Sequence, residues 1–277
     1  MQLKIIEYNI QNGFCNEMGY PYLLQNERLN AVANILEKEN PDILILTEAY
    51  FWQFAKTSKL KNFKKLFAKL YNFYAPAHYN FRWAPIILSK LPVISYESSQ
   101  SKFFLNFLRA KIKIKNKILT IDVFHPHPKT TEEQKLDFIK ENVLEINNYI
   151  FTGDLNTLSP EDDYDKNKLI KSFKIFMGNK AEEKVKDMLK CKAVKFILDK
   201  DLLDTYKFKN KIFDFTVPTD LRSKNKNSGI RIDYIFCSKD FKILDSGIVN
   251  LPTPRVCLLA NPSADGVGHQ KKLTNFN

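Results

Sequence analysis

The sequence predicts an α+β protein with a layered core of β-sheet. Short apolar runs that are typical of strands recur from the N-terminus to residue 237, and two or three helical stretches lie between them. No Pro/Gly/Ser-rich linker divides the 277 residues, and no repeat is visible. We therefore expect a single domain, residues 1–277, with an atypical C-terminal tail from about residue 251.

Hydrophobic periodicity assigns the elements of the first half. Residues 3–10 and 43–46 have the apolar content of buried strands, and residues 27–38 between them carry apolar side chains at helical spacing. Residues 56–69 fit an amphipathic helix with six lysines and no acid, so these lysines form a solvated face or, alternatively, contact a polyanion. Residues 85–89 form a further strand.

The second half begins with a predicted hairpin over residues 108–124. Lysines alternate there with apolar residues, as on a sheet with one buried and one solvated face. Residues 131–150 begin as a helix, with Thr130 or Thr131 as its N-cap, and end extended. The same patterns predict helix over residues 161–200 and strands over residues 212–217 and 230–237.

Composition narrows the class of protein and its partners. A net charge of +12 favours nucleic acid and anionic lipid surfaces alike. No run of eighteen apolar residues could span a membrane, and the N-terminus lacks the pattern of a signal peptide. The four scattered cysteines form no CxxC pair, so we expect no zinc site and a reducing compartment. The chain is expected to be cytoplasmic and monomeric.

The most informative motif is Gly153-Asp154-Leu155-Asn156, which follows an apolar run. Alternate residues of an extended chain point to the same side, so Asp154 and Asn156 can reach one small object. A carboxylate beside a carboxamide suits a metal-assisted attack of water on phosphorus. A simple strand-end turn is the alternative, because Asp and Asn are common in turns.

Other polar residues also lie at or just after predicted strands. Asn9 has an ordinary reading as a turn residue, Glu48 as a helix cap, and His125 and His127 as loop histidines. Asp233 is harder to explain in this way, because a carboxylate inside an Ile/Tyr/Ile/Phe strand is costly to bury without a partner. Their joint occurrence favours one common site.

With these motifs the sequence resembles the endonuclease/exonuclease/phosphatase superfamily, which includes DNase I, abasic-site endonucleases, neutral sphingomyelinases and inositol polyphosphate 5-phosphatases. The similarity runs from residue 3 to about residue 249. Residues 153–156 and Arg231-Ile232-Asp233-Tyr234-Ile235-Phe236 carry it most strongly. Weaker matches in register are residues 8–13, 41–48, 87–90 and 125–128.

This resemblance implies a DNase I-like, four-layer α/β/β/α sandwich with the active site at one rim. It implies a phosphoric ester hydrolase, an endonuclease-like phosphodiesterase that depends on Mg²⁺ or Mn²⁺. Asp154 would position or deprotonate the attacking water, and Asn156 and His125 would hold the phosphoryl oxygens. His125 is preferred because it directly follows a strand, and His127 is the alternative. The other implied positions are Glu48, Asn9 and Asp265 at the metal, Asp233 and His269 as a catalytic pair, and Asn9, Asn12 and His127 as substrate contacts.

The C-terminal segment departs from the family pattern. The family closes with adjacent Ser-Asp-His, whereas Ser263, Asp265 and His269 are separated here and two lysines follow. Either the loop is remodelled and His269 still reaches Asp233, or the last strand is altered and the activity is impaired. The alternative function is therefore a catalytically weakened relative that binds nucleic acid or anionic phospholipid through its basic surface.

The sequence leaves the substrate open within the class of phosphate esters. A nuclease needs a basic groove, whereas an enzyme acting on phospholipid headgroups needs an exposed apolar lip beside its site. Residues 103–107, Phe-Phe-Leu-Asn-Phe, are interpreted as core, with such a lip as the alternative.

Overall fold

The computed structural model contains two six-stranded sheets packed face to face. It describes residues 2–10, 13, 26–49, 67–77, 83–101, 104–217, 229–249 and 269–275, with the side chains of 26–29, 176 and 269–275 outside the description. The strands are β1 Gln2–Asn9, β2 Ile43–Thr47, β3 Phe73–Pro76, β4 Ile86–Ser89, β5 Val93–Gln100, β6 Leu105–Ile114, β7 Lys117–Pro126, β8 Tyr149–Asp154, β9 Leu203–Asp204, β10 Asp233–Cys237, β11 Lys242–Ile248 and β12 His269–Asn275. The helices are α1 Asn26–Glu39, α2 Glu132–Asn142, α3 Lys166–Met177, α4 Ala181–Met188, α5 Lys192–Asp199 and α6 Thr205–Lys209.

Both sheets are mixed. The first has the order β11-β12-β1-β2-β4-β3, and the second has the order β5-β6-β7-β8-β10-β9. β1 runs parallel to β2, and β7 runs parallel to β8. β10 lies antiparallel to β8. The ends of β1, β2, β7 and β8 and the start of β10 can therefore meet at one rim of the sandwich.

Strand alternation builds the four layers. Leu3 and Ile5 of β1 belong to a core shared with the second sheet, whereas Ile6 and Tyr8 pack in a cluster with α1. On the outer face of the second sheet, Phe151 belongs to a cluster with residues of α2 and α5. The predicted α/β/β/α sandwich is confirmed.

Several predicted elements have close counterparts. The hairpin of residues 108–124 is β6–β7, and its lysines are exposed on one face. Thr131, rather than Thr130, caps α2, with its side chain and that of Gln134 forming a capping box. The stretch 161–200 contains three helices, α3 to α5.

One predicted strand is wrong, and one predicted helix can be compared with the structure only in part. The strand over residues 212–217 is wrong, because Ile212 is 82% exposed and Val217 makes only an isolated bridge to Ile230. β10 already has β8 on one side and β9 on the other, so this segment finds no open edge there. Of the predicted helix over residues 56–69, the described part, residues 67–69, is helical.

A buried ionic network anchors the start of β10. Arg231 is fully buried and donates from Nε to Asp162 Oδ2 at 3.0 Å and from Nη1 to Asp204 Oδ2 at 2.6 Å. Its guanidinium lies 4.6 Å from the centre of the Tyr234 ring. Asp204 also caps α6, so the network ties that helix to the segment that carries Asp233.

A strand, β12, is present near the C-terminus, although lysines stand there where the family pattern has apolar residues. β12 pairs antiparallel with both β1 and β11, and His269 lies opposite Tyr8. Within the described ranges, no helix is long and apolar enough to cross a membrane.

Candidate active site at one rim of the sandwich

Rows of inward-facing side chains change from apolar to polar at one rim. On β7 the row Ile121 and Val123 ends at His125, and on β8 the residue Ile150 precedes Asp154 on the same face. β1 ends at Asn9, and β10 begins at Asp233. The architecture thus gathers polar groups from both sheets at one place.

Local backbone features complete this rim. Gly153 has φ +133°, and a Cβ there would lie 2.2 Å from Phe124 O, so only glycine fits before Asp154. Glu48 has φ +58° and Asn156 has φ +47°, conformations that non-glycine residues rarely adopt. If side chains alternated strictly along β2, Glu48 would point outward from the sandwich, as Leu46 does. The left-handed backbone at Glu48 directs its side chain toward Asn9 instead.

One amide joins the two sheets. Asn9 Nδ2 donates to Glu48 Oε1 at 3.0 Å and to Asp154 Oδ2 at 2.9 Å. Asp154 Oδ1 accepts from Asn156 N at 2.9 Å. The second amide, Asn156 Nδ2, donates to Pro126 O at 3.0 Å, which uses one of its two donor hydrogens. Asn156 therefore also holds the segment that follows His125.

His125 has a defined orientation beside this amide. Its Nδ1 lies 3.1 Å from Trp83 O, an acceptor, so Nδ1 carries a proton. Its Nε2 is 3.9 Å from both Glu48 Oε1 and Asp154 Oδ2 and has no hydrogen-bond partner among the described residues. The imidazole is buried, with Nε2 directed at the two carboxylates.

His127 is placed differently. Its Nδ1 accepts from Lys129 N at 3.0 Å, and its ring lies 4.4 Å from that of Trp83. Burial, followed by the charges of Lys129, His125 and Lys184, lowers the pKa of His127 to about 4. The geometry favours His125 over His127 as the group that faces the carboxylates.

The rim concentrates acidic groups. Asp233 lies directly opposite Asp154 in the β8–β10 ladder. Burial and then the Asp154 charge raise the pKa of Asp233 well above its usual range, and burial raises the pKa of Asp154. Neighbouring acids in a site with little water favour binding of a cation or retention of a proton.

Glu7 is an acid that the sequence-based site did not include. It is fully buried, and neither carboxyl oxygen has a hydrogen-bond partner among the described residues. Burial, then the charges of Asp233 and Asp154, raise its pKa well above the usual range. The signal was present in the sequence, because Glu7 lies inside an apolar strand as Asp233 does.

A buried lysine supports the strand end that carries Asn156. Lys135 and Glu132 are both fully buried on α2, and Lys135 Nζ donates to Glu132 Oε1 at 3.0 Å. The same ammonium donates to Asn156 O. This cation was also missed, since a lysine inside a charged helix gives no sequence signal of burial.

The donor set fits a partly open site for a hard divalent cation. Glu48 and Asp154 offer carboxylate oxygens around Asn9, and such oxygens are the ligands that Mg²⁺ and Mn²⁺ prefer. Within the described ranges, no three His, Cys, Asp or Glu side chains converge closely enough to enclose a metal ion. Mg²⁺ is usually held by one or two carboxylates together with waters and substrate phosphates, so a closed cage is not required.

Some predicted site residues lie outside the description. Asn12 and Asp265 fall outside the described residues, and only the backbone of His269 is described. That backbone lies opposite Tyr8, one residue from Asn9. The pairing of His269 with Asp233 stays a prediction.

The run of residues 103–107 is core only in part. Leu105, Asn106 and Phe107 are buried, as interpreted from the sequence. Phe104 is 43% exposed, and Phe103 lies outside the described residues. The reason is a turn, in which Phe104 N donates to Ser101 O just before β6 begins.

Comparisons with known proteins agree with this architecture. The model of the Endonuclease/Exonuclease/phosphatase family matches residues 6–264. The structure is similar to TDP2 of D. rerio complexed with single strand DNA product, with a TM-score of 0.61 and 14% identity over 99% of each chain. It is similar to an AP endonuclease from Archaeoglobus fulgidus, with a TM-score of 0.60 and 18% identity over 99% of each chain. An endonuclease/exonuclease/phosphatase from Beutenbergia cavernae DSM 12333 has a TM-score of 0.61 and 14% identity, over 100% of this chain and 72% of that one. Comparison with curated proteins gives no match.

Proposed function

Because the chain belongs to the endonuclease/exonuclease/phosphatase family, we propose that it is a divalent-metal-dependent phosphodiesterase of the endonuclease type. The observation that supports this most directly is the contact centred on Asn9. Its amide bonds both Glu48 and Asp154, and His125 Nε2 is 3.9 Å from the same two carboxylates. Two acids, a carboxamide and an imidazole thus converge, and these are the group types that bind a divalent cation and a phosphate.

Mg²⁺ or Mn²⁺ held by Glu48 and Asn9, with Asp265 from the undescribed tail, would neutralise charge on a phosphoryl oxygen and on the leaving oxygen. Asp154 orients the attacking water and accepts its proton. Its pKa is raised by burial, which brings a carboxylate closer to the range of an effective general base.

His125 acts on the phosphoryl group. Trp83 O holds Nδ1, so the proton that His125 can offer or accept is at Nε2, on the side of the carboxylates. In the imidazolium form Nε2 donates to a phosphoryl oxygen. The remaining donor hydrogen of Asn156 Nδ2 is available for a second phosphoryl oxygen. Asp233 and His269 would form the supporting pair that the family resemblance implies.

The test is hydrolysis with and without divalent cations. We expect activity with Mg²⁺ or Mn²⁺, no activity in excess EDTA, and a loss of about 10²-fold or more in kcat for Asp154→Asn. The matched control is Asp163→Asn, which makes the same chemical change at an exposed acid. Full activity in EDTA, or in Asp154→Asn, would contradict the proposal.

A substrate panel separates the possible substrates. Plasmid DNA, abasic DNA, RNA, sphingomyelin and inositol phosphates cover the classes that this family processes. Nucleic acid is the first candidate, because the similar structures include TDP2 with single strand DNA product and an AP endonuclease. Polyanion binding without hydrolysis of any member of the panel would favour the weakened, binding-only relative.

A further inference from the structure

An exposed aromatic side chain occupies a strained backbone position beside the candidate active site. Phe104 has φ +56°, which bulky residues rarely adopt, and it is 43% exposed. Its N–H donates to Ser101 O at 2.9 Å, and its carbonyl accepts from His127 N at 3.1 Å. Strain of this kind persists where the surroundings enforce it, and it is concentrated at ligand-binding sites.

Phe104 belongs to a cluster of three rings. The centre of the Trp83 ring lies 4.4 Å from that of His127 and 6.2 Å from that of Phe104, both edge to face. The Phe104 and His127 rings are 6.1 Å apart. Trp83 O is the atom that orients His125, so the cluster is attached directly to the group proposed to hold the phosphate.

Cations flank these rings. Lys129 is exposed, and Lys184 Nζ donates to Pro128 O at 2.5 Å. His127 is a neutral ring at neutral pH, since burial, followed by the charges of Lys129, His125 and Lys184, lowers its pKa to about 4. Aromatic faces next to lysines are the usual surface for single-stranded nucleic acid, in which bases stack and phosphates pair with cations.

We propose that Trp83, Phe104 and His127 form an aromatic platform in which Phe104 presents the face on which the base next to the scissile phosphate stacks, so that the substrate is single-stranded or locally unpaired nucleic acid. The inference rests on the proposed function, because it takes the phosphate to lie beside His125. One base stacked on an aromatic side chain changes affinity by about tenfold.

A lipid surface fits this region less well. Insertion into lipid needs several neighbouring apolar side chains that are exposed together. Among residues 104–107 only Phe104 is exposed, and the next residue, Leu105, is buried. Among the described residues of this turn, Phe104 alone offers an exposed apolar ring, and one ring suits a planar base better than a membrane.

The test measures binding in EDTA, so it does not require hydrolysis. Fluorescence anisotropy would give the Kd for an oligo(dT) of about ten nucleotides and for an abasic oligomer with the same number of phosphates. Phe104→Gly removes the ring and relieves the positive φ, so it is not expected to unfold the chain. We expect it to weaken oligo(dT) binding about tenfold and to leave binding of the abasic oligomer unchanged, whereas Phe104→Tyr keeps the wild-type affinity.

The control is Asn148→Gly, which changes a residue with φ +54° at the opposite end of β8 and should leave both affinities unchanged. The proposal is overturned if wild type does not bind oligo(dT) more tightly than the abasic oligomer, or if Phe104→Gly weakens both equally. It is also overturned if Phe104→Gly reduces binding only to vesicles of sphingomyelin and phosphatidylserine. Base-dependent binding with no hydrolysis would refute the proposed enzyme and leave the platform standing.

Discussion

Replacing Glu7 by Gln is expected to change how the stability of the protein depends on pH. Glu7 is fully buried in the row of β1 side chains that faces the second sheet, and its pKa is raised well above the usual range. The folded protein therefore keeps the Glu7 proton at a pH at which the unfolded chain has lost it. In that window the unfolded state binds fewer protons, so the free energy of unfolding falls as the pH rises.

The size of the effect follows from linkage. A difference of one bound proton changes the free energy of unfolding by about 1.4 kcal/mol per pH unit. Gln has a similar shape and does not titrate. Between about pH 5 and pH 6, wild type should lose about 1.4 kcal/mol of stability relative to Glu7→Gln, and the difference becomes constant above the folded-state pKa. Asp154 and Asp233 are present in both proteins, but their charges act on Glu7, so the difference in slope includes their response to the change at position 7.

Urea unfolding at a series of pH values, in EDTA, measures this difference. The control is Glu183→Gln, an exposed acid on α4, whose curve should run parallel to that of wild type. The slope of stability against pH is compared, rather than the absolute stability, because an amide introduces donors of its own. Parallel curves for wild type and Glu7→Gln would refute a buried, proton-retaining Glu7.

Two further predictions concern the other charged groups. Arg231→Ala leaves two buried carboxylates without their cation and should lower the free energy of unfolding in urea by about 3–5 kcal/mol. Lys239→Ala removes an exposed ion pair and should lower it by less than about 1 kcal/mol. Equal losses in the two variants would contradict this prediction. Lys129→Ala should make the affinity for oligonucleotides fall less steeply as salt is raised from about 50 to 200 mM. Lys115→Ala should not change this dependence, because Lys115 is in the β6–β7 turn, roughly 30 Å along β7 from the candidate site. A larger effect of Lys115→Ala would mean that nucleic acid binds elsewhere.

Much of the fold could be predicted because its signals are local. The apolar runs in β1, β2, β8 and β10 mark buried strands, and the alternating lysines mark the hairpin of β6 and β7. The short pairing of β9 with β10 could not be predicted, since it depends on which edge is left open after the sheet has formed. The single-domain, monomeric and cytoplasmic assignments stay predictions.

Residues of the candidate site could be predicted from the sequence where a polar side chain continues the row of apolar side chains on one face of a strand. Asn9, His125, Asp154 and Asp233 all do so, and an apolar row that ends in a polar group is visible in the sequence. Glu48 was also identified because it directly follows a predicted strand, although its left-handed backbone breaks the alternation that would otherwise direct it outward. Its role at the metal was implied only by the family resemblance. The exposure of Phe104 was considered only as the alternative to a core position, because a positive φ at a bulky residue has no sequence signature.

The acidic rim also limits how the basic surface can act. The +12 net charge of the chain does not neutralise Glu7, Asp154 and Asp233, because these acids are buried between the sheets and the hairpin lysines are exposed to water. The groups within the rim stabilise them only in part, because the pKa of each of the three stays raised, so a proton or an entering cation is needed to complete the compensation. Protons meet this need at low pH, and a divalent cation with the charge of two protons can meet it near neutral pH. A decrease of stability between about pH 5 and pH 6 that is smaller in Glu7→Gln than in wild type would therefore show that the folded rim keeps a proton on Glu7, as expected where buried acids lie close together without a bound cation.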